Sequence, residues 1–186
     1  MNILKDEGIR EPLFDYLEEK YGRIRILEEK IIGKVRADVV MVTPALIYGI
    51  EIKSDADTYA RLEKQVKYYN WYYDRNILVV GSKHAAHASE HVPEWWGIIS
   101  AEAFEDRVDF YEVRKPSENP RVKDHRKIAL LWRYELNRLL KANKLPVYHN
   151  KNKTAAQKRL LENVPAEILW PQVCEELFQR DYSIYE

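Results

Sequence analysis

The pattern of apolar and polar residues predicts an α/β core over the first two thirds of the chain. Apolar residues at helical spacing predict helices over 6–21 and 57–73. Runs rich in β-branched and apolar residues predict strands over 23–32, 35–43, 46–54, 76–81, 96–100 and 107–114, with a short helix over 83–91. Only Pro44 and Ala45 securely separate the second strand from the third, so these two strands should form a hairpin.

Beyond Lys115 the pattern becomes helical. Pro116, Ser117, Asn119 and Pro120 form a break typical of a linker. Three helices are predicted after it, over 124–143, 153–163 and 166–180. The chain is therefore divided into an α/β core, 1–115, and a helical extension packed on that core, 121–186.

Length and composition limit the class of protein. The chain has 186 residues, enough to bury a core, and its single cysteine excludes an internal disulfide and a cysteine-based zinc site. No apolar run approaches the roughly 20 residues of a membrane span, so no membrane contact is expected. The first ten residues lack the apolar centre of a secretory signal, which predicts a cytoplasmic protein.

The charge is distributed unevenly along the chain. Residues 121–160 carry 12 Lys and Arg against 2 Asp and Glu, although the whole chain has a net charge of zero. Such a basic block favours a polyanionic partner, whereas a solvated helical face is the simpler interpretation.

Three residues of the predicted hairpin carry candidate chemistry. Glu51 and Lys53 are two apart on one strand and share a face, while Ile50 and Ile52 point into the core. If the turn is centred between Pro44 and Ala45, residue numbers of paired positions sum to 89, and Asp38 lies opposite Glu51.

Two opposed carboxylates repel each other, so something must offset their charge. A divalent cation such as Mg²⁺ or Mn²⁺ would do so, and Lys53 would then orient a water or stabilise a phosphate. The alternative is a solvent-facing cluster in which Lys53 alone balances both acids.

In these residues the sequence resembles the PD-(D/E)XK nuclease superfamily, which carries an Asp on one strand and Glu-x-Lys on the next. Gln65 and Tyr69 on the following helix are similar to the Gln-x-x-x-Tyr pair of the RecB-like branch. Residues 49–58, with the segments at 78–81 and 93–97, more closely resemble an uncharacterised bacterial family within that superfamily. The resemblance covers about residues 6–114, and Ala37 departs from the motif's proline.

The resemblance implies a fold, a cofactor and a set of site residues. It implies a mixed central sheet flanked by helices, a restriction-endonuclease-like core, with Asp38, Glu51 and the Ile52 carbonyl as ligands of Mg²⁺ or Mn²⁺. Lys53 would activate the water. A glutamate of the first helix would complete the site, with Glu11 as the candidate and Glu18 and Glu19 as competitors.

Further residues have a functional and a structural interpretation. Gln65 and Tyr69 share a helix face, so Gln65 would touch a metal-bound water and Tyr69 the nucleic acid, or they form a surface amide beside a core-edge tyrosine. The tail predicts an amphipathic helix whose basic face follows a nucleic-acid backbone. The predicted contacts with the nucleic acid are Lys123, Arg126, Lys127, Arg133 and Lys141.

The predicted function is metal-dependent hydrolysis of a phosphodiester, with DNA as the expected substrate. A non-catalytic nucleic-acid-binding or repair-accessory module is the second hypothesis, and a protein-interaction module the third. Nothing in the sequence fixes the oligomeric state, although a junction-type substrate would suit a two-fold homodimer.

Overall fold

A computed structural model describes residues 6–105, 107–147 and 152–182 of the chain. Its eight α-helices within these ranges are α1 (Asp6–Tyr21), α2 (Leu62–Tyr72), α3 (Ser82–Ala85), α4 (Ala88–His91), α5 (Asp124–Lys127), α6 (Arg133–Ala142), α7 (Lys153–Asn163) and α8 (Ala166–Phe178). The strands are β1 (Arg25–Ile32), β2 (Val35–Val42), β3 (Ile47–Lys53), β4 (Arg75–Gly81), β5 (Gly97–Phe104) and β6 (Arg107–Arg114). Short 3₁₀ turns cover Tyr59–Arg61 and Ile128–Leu130.

The strands form one mixed sheet in the order β1-β2-β3-β4-β5-β6. The first three strands are antiparallel neighbours, β3, β4 and β5 are parallel, and β6 runs antiparallel to β5. This arrangement confirms the predicted α/β fold with a mixed sheet; a restriction-endonuclease-like core is not confirmed by it. The boundary predictions, 1–115 and 121–186, also take in residues 1–5, 106, 148–151 and 183–186, which lie outside the described residues.

The β2–β3 hairpin has the predicted register. Val39 pairs with Ile50 and Val42 with Ile47, so the numbers of paired residues sum to 89. Thr43 closes the turn: its backbone N–H donates to the Leu46 carbonyl at 2.9 Å, and its hydroxyl accepts from the Leu46 N–H at 3.0 Å. Beyond this ladder the Ile52 N–H donates to the Asp38 carboxylate at 2.9 Å, which holds Asp38 against the strand that carries Glu51.

Helices cover the two faces of the sheet. On one face, Ile9, Leu13 and Leu17 of α1 pack against a cluster that includes Ile50 and Ile52. The other face is covered by α2 and the C-terminal helices. Strands β3 and β4 are therefore buried on both sides, which explains why β4 is almost continuously apolar. Glu51 and Lys53 consequently face α2 and not open solvent.

The predicted helix over 124–143 is wrong as a single element. Residues 131 and 132 are extended, with ψ of 146° and 167°, and they separate the 3₁₀ turn from α6. The Trp132 N–H donates to the Glu135 carboxylate at 2.6 Å, which starts a new helix at Arg133. Glu135 is in turn held by Arg180 at the end of α8, a contact that helical periodicity does not reveal. The predicted helix over 83–91 is likewise two short helices, separated near His87.

The segment after β6 is bonded to the core along its length. The Asn119 side-chain amide donates to the carbonyls of Asn70 and Tyr73 at 2.9 and 2.7 Å, at the end of α2. The Lys123 N–H donates to the Trp71 carbonyl at 3.0 Å. These bonds satisfy the last carbonyls of α2, which a helix end leaves without partners.

In the part of the chain that the structure describes, no helix is both long enough and apolar enough to cross a membrane.

Candidate functional site

The three hairpin residues come together in one cavity. Asp38, Glu51 and Lys53 line a cleft of about 430 Å³ between the end of the hairpin and the start of α2. Its other lining residues are mostly charged or polar: Asp6, Lys34, Val35, Arg36, Ile52, Asp57, Arg61, Lys64 and Gln65. The predicted proximity of the two acids and the lysine is therefore present in the structure.

Protein donors already surround the Glu51 carboxylate. Glu51 is fully buried, and its Oε1 accepts hydrogen bonds from Lys53 Nζ at 2.5 Å and from Gln65 Nε2. Its Oε2 accepts from the Tyr69 hydroxyl at 2.6 Å. Gln65 and Tyr69 thus use their shared helix face to hold Glu51, which neither interpretation from sequence described.

Asp38 is held differently. Its Oδ2 accepts from the Ile52 backbone N–H at 2.9 Å, while Oδ1 lies 4.0 Å from the Arg10 guanidinium. The Asp38 N–H donates to the Tyr69 hydroxyl at 3.1 Å, so this tyrosine joins the two carboxylate-bearing strands.

Burial and charge change the protonation behaviour of the cleft. Burial, with the nearby Glu51 charge, raises the pKa of Asp38 to about 7, against the opposing effects of the Ile52 hydrogen bond, Lys53 and Arg10. Burial, with the charge of Glu51, also raises the pKa of Tyr69 well above its ordinary value. Tyr69 therefore keeps its proton and remains a donor to Glu51.

The donor arrangement bears on the predicted metal. Both oxygens of Glu51 and one oxygen of Asp38 already accept hydrogen bonds from the protein. Within the described residues, no group of three or more His, Cys, Asp or Glu side chains is placed to hold a metal ion. Binding of Mg²⁺ or Mn²⁺ by Asp38, Glu51 and Ile52 stays a prediction.

The first helix contributes an aspartate to the cleft where a glutamate was predicted. Glu11 is exposed and does not line the cleft, and neither do Glu18 and Glu19; Asp6 does. Asp6 lies one turn before Arg10 and pairs with it at 2.9 Å. Arg10 also pairs with Glu28 and Glu29, and the sequence motif that includes Arg10 gave it no role in the site. The position of Arg10 on the same helix face as Asp6 was the available signal.

Two of the predicted nucleic-acid contacts are buried. Tyr69 has no exposed surface and bonds to Glu51, so it cannot reach a nucleic acid. Lys127 is 3% exposed, pairs with Asp74 at 2.6 Å and lies 4.3 Å from the centre of the Trp170 ring. The predicted basic residues do not lie on one face of a single helix, because the helix that was expected to carry them is broken.

The remaining predicted contacts divide between two places. Lys123 and Arg126 lie beside Trp71 on α2, at 4.6 and 5.9 Å from its ring centre. Arg133 and Lys141 lie on α6, where Lys141 is exposed and Arg133 half-buried. The structure therefore brings together only the first pair.

A basic surface runs along the outer side of α2. We define the α2 surface by six cations, Arg61, Lys64, Lys67, Arg121, Lys123 and Arg126, with the aromatic ring of Trp71. Lys64 and Arg61 also line the cleft, so the α2 surface continues from the cleft toward Trp71. Arg61, Lys64 and Lys67 were not among the predicted contacts, although residues spaced three apart on a helix lie on one side of it.

Several basic side chains elsewhere form close ion pairs, unlike the six cations of the α2 surface. Arg10, Lys127 and Arg180 each pair with a carboxylate within 3 Å. Across the described ranges, none of the six side chains of the α2 surface lies within 4 Å of a carboxylate oxygen. Glu63 is the acid that lines the same cavity as Lys64 and Lys67.

Comparisons with known proteins identify the family. The family model described as bacteriophage P4 protein cII matches residues 2–183. The chain is 24% identical over 142 residues to "Protein cII" of Enterobacteria phage P4, an alignment that covers 74% of this chain and 53% of that protein. The chain thus spans about half the length of this curated relative. No solved structure matches the chain.

These matches correct the identification made from the hairpin motif. A family model that covers nearly the whole chain outweighs a resemblance that rests on a few residues of one hairpin and one helix. The assignment to the PD-(D/E)XK superfamily and to a bacterial family within it is wrong, and with it the predictions of a nuclease, of phosphodiester hydrolysis and of a repair role. The chain belongs to the bacteriophage P4 protein cII family.

Proposed function

We propose that this protein is a regulatory, non-enzymatic protein that binds DNA through the α2 surface. The observation that carries the proposal is the convergence, on one side of α2, of six cations that have no carboxylate partner among the described residues. Family membership supports a role other than hydrolysis, because the matching family is that of phage P4 protein cII.

The charge arrangement favours an anionic partner. Lys67, Lys123 and Arg126 all approach one indole ring to within 6 Å. Three cations gathered around one ring repel each other, and an anion bound among them would reduce that repulsion. The Trp71 ring offsets part of it through cation–π attraction.

The shape of the surface favours an extended polyanion over a single small anion. From Arg61 to Trp71, α2 rises about 15 Å, at about 1.5 Å per residue. Phosphates on one DNA strand are about 3.4 Å apart along the axis, so the surface can follow about four of them. The cations at its far end, Arg121 and Lys123, come from the segment bonded to the end of α2.

A titration of labelled DNA at several salt concentrations tests the proposal. We expect the wild-type affinity to fall steeply with salt, because each neutralised phosphate contributes about −0.9 to the slope of log K against log salt. The variant Lys64→Gln/Lys67→Gln should lower the magnitude of that slope by about 2.

A second double variant serves as the matched control. Lys141→Gln/Lys144→Gln removes the same number of charges from exposed lysines at the end of α6 and should leave the slope unchanged. An equal loss in both variants would show that net charge, and not the α2 surface, governs binding. Wild-type protein without salt-dependent binding to any DNA would overturn the proposal.

A further inference from the structure

We propose that the α2 surface takes unpaired bases of single-stranded DNA, with Trp71 as the platform on which a base stacks. This inference rests on the proposed function, because it names the form of DNA that the same surface selects.

Trp71 is more exposed than four aromatic residues near it in the fold. Tyr69, Tyr72, Tyr73 and Trp96 are buried and belong to the core. Trp71 is half-buried and lines an open cavity of about 680 Å³ with Lys64, Lys67 and Arg121. Its ring is supported from within by an edge-on contact with Tyr68, at a centroid distance of 5.1 Å. A rigid, partly exposed indole in a basic cavity is the arrangement that stacks on unpaired bases.

A second aromatic ring continues the surface. Trp95 is also half-buried, and its indole N–H donates to the Asn70 side-chain carbonyl at 3.3 Å. The Arg121 guanidinium lies 5.1 Å from the centre of the Trp95 ring and also lines the Trp71 cavity. Arg121 therefore stands between the two rings, where its planar group can stack on a base or pair with a phosphate.

Single strands and duplexes would use this surface differently. In a duplex the flat faces of the bases cover one another, and only base edges and phosphates are open to a protein. An indole ring cannot stack on a base inside a duplex, whereas the cations can contact phosphates of a duplex and of a single strand. The lysines around Trp71 are long and flexible, so they can turn from the ring toward phosphates when a base takes their place.

Comparing the affinity of the protein for single-stranded DNA with its affinity for the duplex of the same sequence tests whether Trp71 stacks on a base. We expect the wild type to bind the single strand more tightly. Trp71→Leu should weaken single-strand binding by roughly 5- to 150-fold, the range of one stacked base, and should change duplex binding by less than about 2-fold. Trp71→Phe, which keeps an aromatic face, should retain most of the single-strand affinity.

Tyr111→Leu provides the matched control, because it removes an exposed aromatic ring from the edge strand β6. This variant should leave both affinities unchanged. Quenching of wild-type tryptophan fluorescence by the unlabelled single strand is expected too, and its loss in Trp71→Phe gives a readout that does not depend on the stability of the leucine variant.

The outcomes separate this inference from the proposed function. If the wild type binds neither form in a salt-dependent way, the proposed function fails. If it binds both forms equally, or if Trp71→Leu weakens both by the same factor, DNA binding stands and stacking on Trp71 is refuted. Tighter binding of RNA than of single-stranded DNA of the same sequence would overturn the choice of DNA.

Discussion

Replacing Asp38 with asparagine should remove most of the pH dependence that the cleft gives to protein stability. Asp38 is largely buried, is close enough to Glu51 to be affected by its charge, and has a pKa of about 7 in the folded protein. The groups that face it are Glu51, Lys53 and Arg10, together with the Ile52 N–H that donates to it.

The magnitude follows from the difference between the folded and unfolded pKa. The ordinary value is 3.8, so burial raises the pKa by about 3 units, and each unit corresponds to about 1.36 kcal/mol. Between these two values the folded protein holds a proton that the unfolded chain has released. Stability is therefore greatest below about pH 4 and falls as the pH rises through 7, by about 4 kcal/mol in total.

Urea unfolding at pH 5.5 and pH 8.5 measures this effect. Between these pH values the titration of Asp38 should lower the unfolding free energy of the wild type by about 2 kcal/mol, and this decrease should be absent in Asp38→Asn. Glu11→Gln removes an exposed acid from α1 and should keep the wild-type dependence. Parallel pH profiles for wild type and Asp38→Asn would refute the reasoning.

Three further outcomes are expected. Arg180→Met should lower the unfolding free energy by about 3–5 kcal/mol, because it leaves the Glu135 carboxylate buried without its bidentate partner. Adding Glu135→Leu should restore part of that loss. An Arg180→Met variant as stable as the wild type would contradict this expectation. Gly49→Ala should lower the midpoint of thermal unfolding, since a Cβ there would lie 2.1 Å from the Tyr73 ring and 2.6 Å from the Tyr69 ring. Overpacking of this kind costs about 1–3 kcal/mol of unfolding free energy. An unchanged midpoint would show that both rings can move. Adding EDTA should leave DNA affinity unchanged, because the proposed contacts are lysine, arginine and tryptophan side chains; a loss on chelation would place a metal ion in the binding surface.

The hairpin shows how far local sequence could predict the site. A short turn fixed the register of the two strands, and Asp38 and Glu51 line one cleft just beyond the paired residues. The spacing of Gln65 and Tyr69 likewise placed both on one side of α2. Their actual partner, Glu51, follows from the packing of α2 on the sheet, which spacing on one helix does not contain.

The motif predicted the proximity of these residues correctly, whereas the nuclease family that it suggested is wrong. Opposed carboxylates require compensation, but a cation is only one way to provide it. In this protein Lys53 and two further side chains donate to Glu51, and the same few residue types would serve either arrangement. The solvent-facing alternative was wrong as well, since Glu51 is fully buried, although its assignment of Lys53 as a neutralising partner agrees with the structure.

The tail was harder to predict because its partners are distant in sequence. Lys127 belongs to a run of basic residues, yet it pairs with Asp74, which lies 53 positions earlier and also accepts the Ile47 N–H. The break before α6 depends on Glu135 and on Arg180, 45 positions later. Charge counting along the chain gave such residues the same weight as Lys123, which is exposed.

The bonds that Asn119 makes with the end of α2 have a consequence for how the polypeptide can be divided. A protein that ended at Lys115 would leave the Asn70 and Tyr73 carbonyls uncapped and would uncover the apolar side of α2 that the C-terminal helices now shield. Cleavage in this segment by a protease would therefore yield two fragments with exposed apolar surfaces, and neither fragment would retain its native contacts. A recombinant that took the α/β core from one relative and the C-terminal helices from another would have to keep Asn119 together with a matching end of α2.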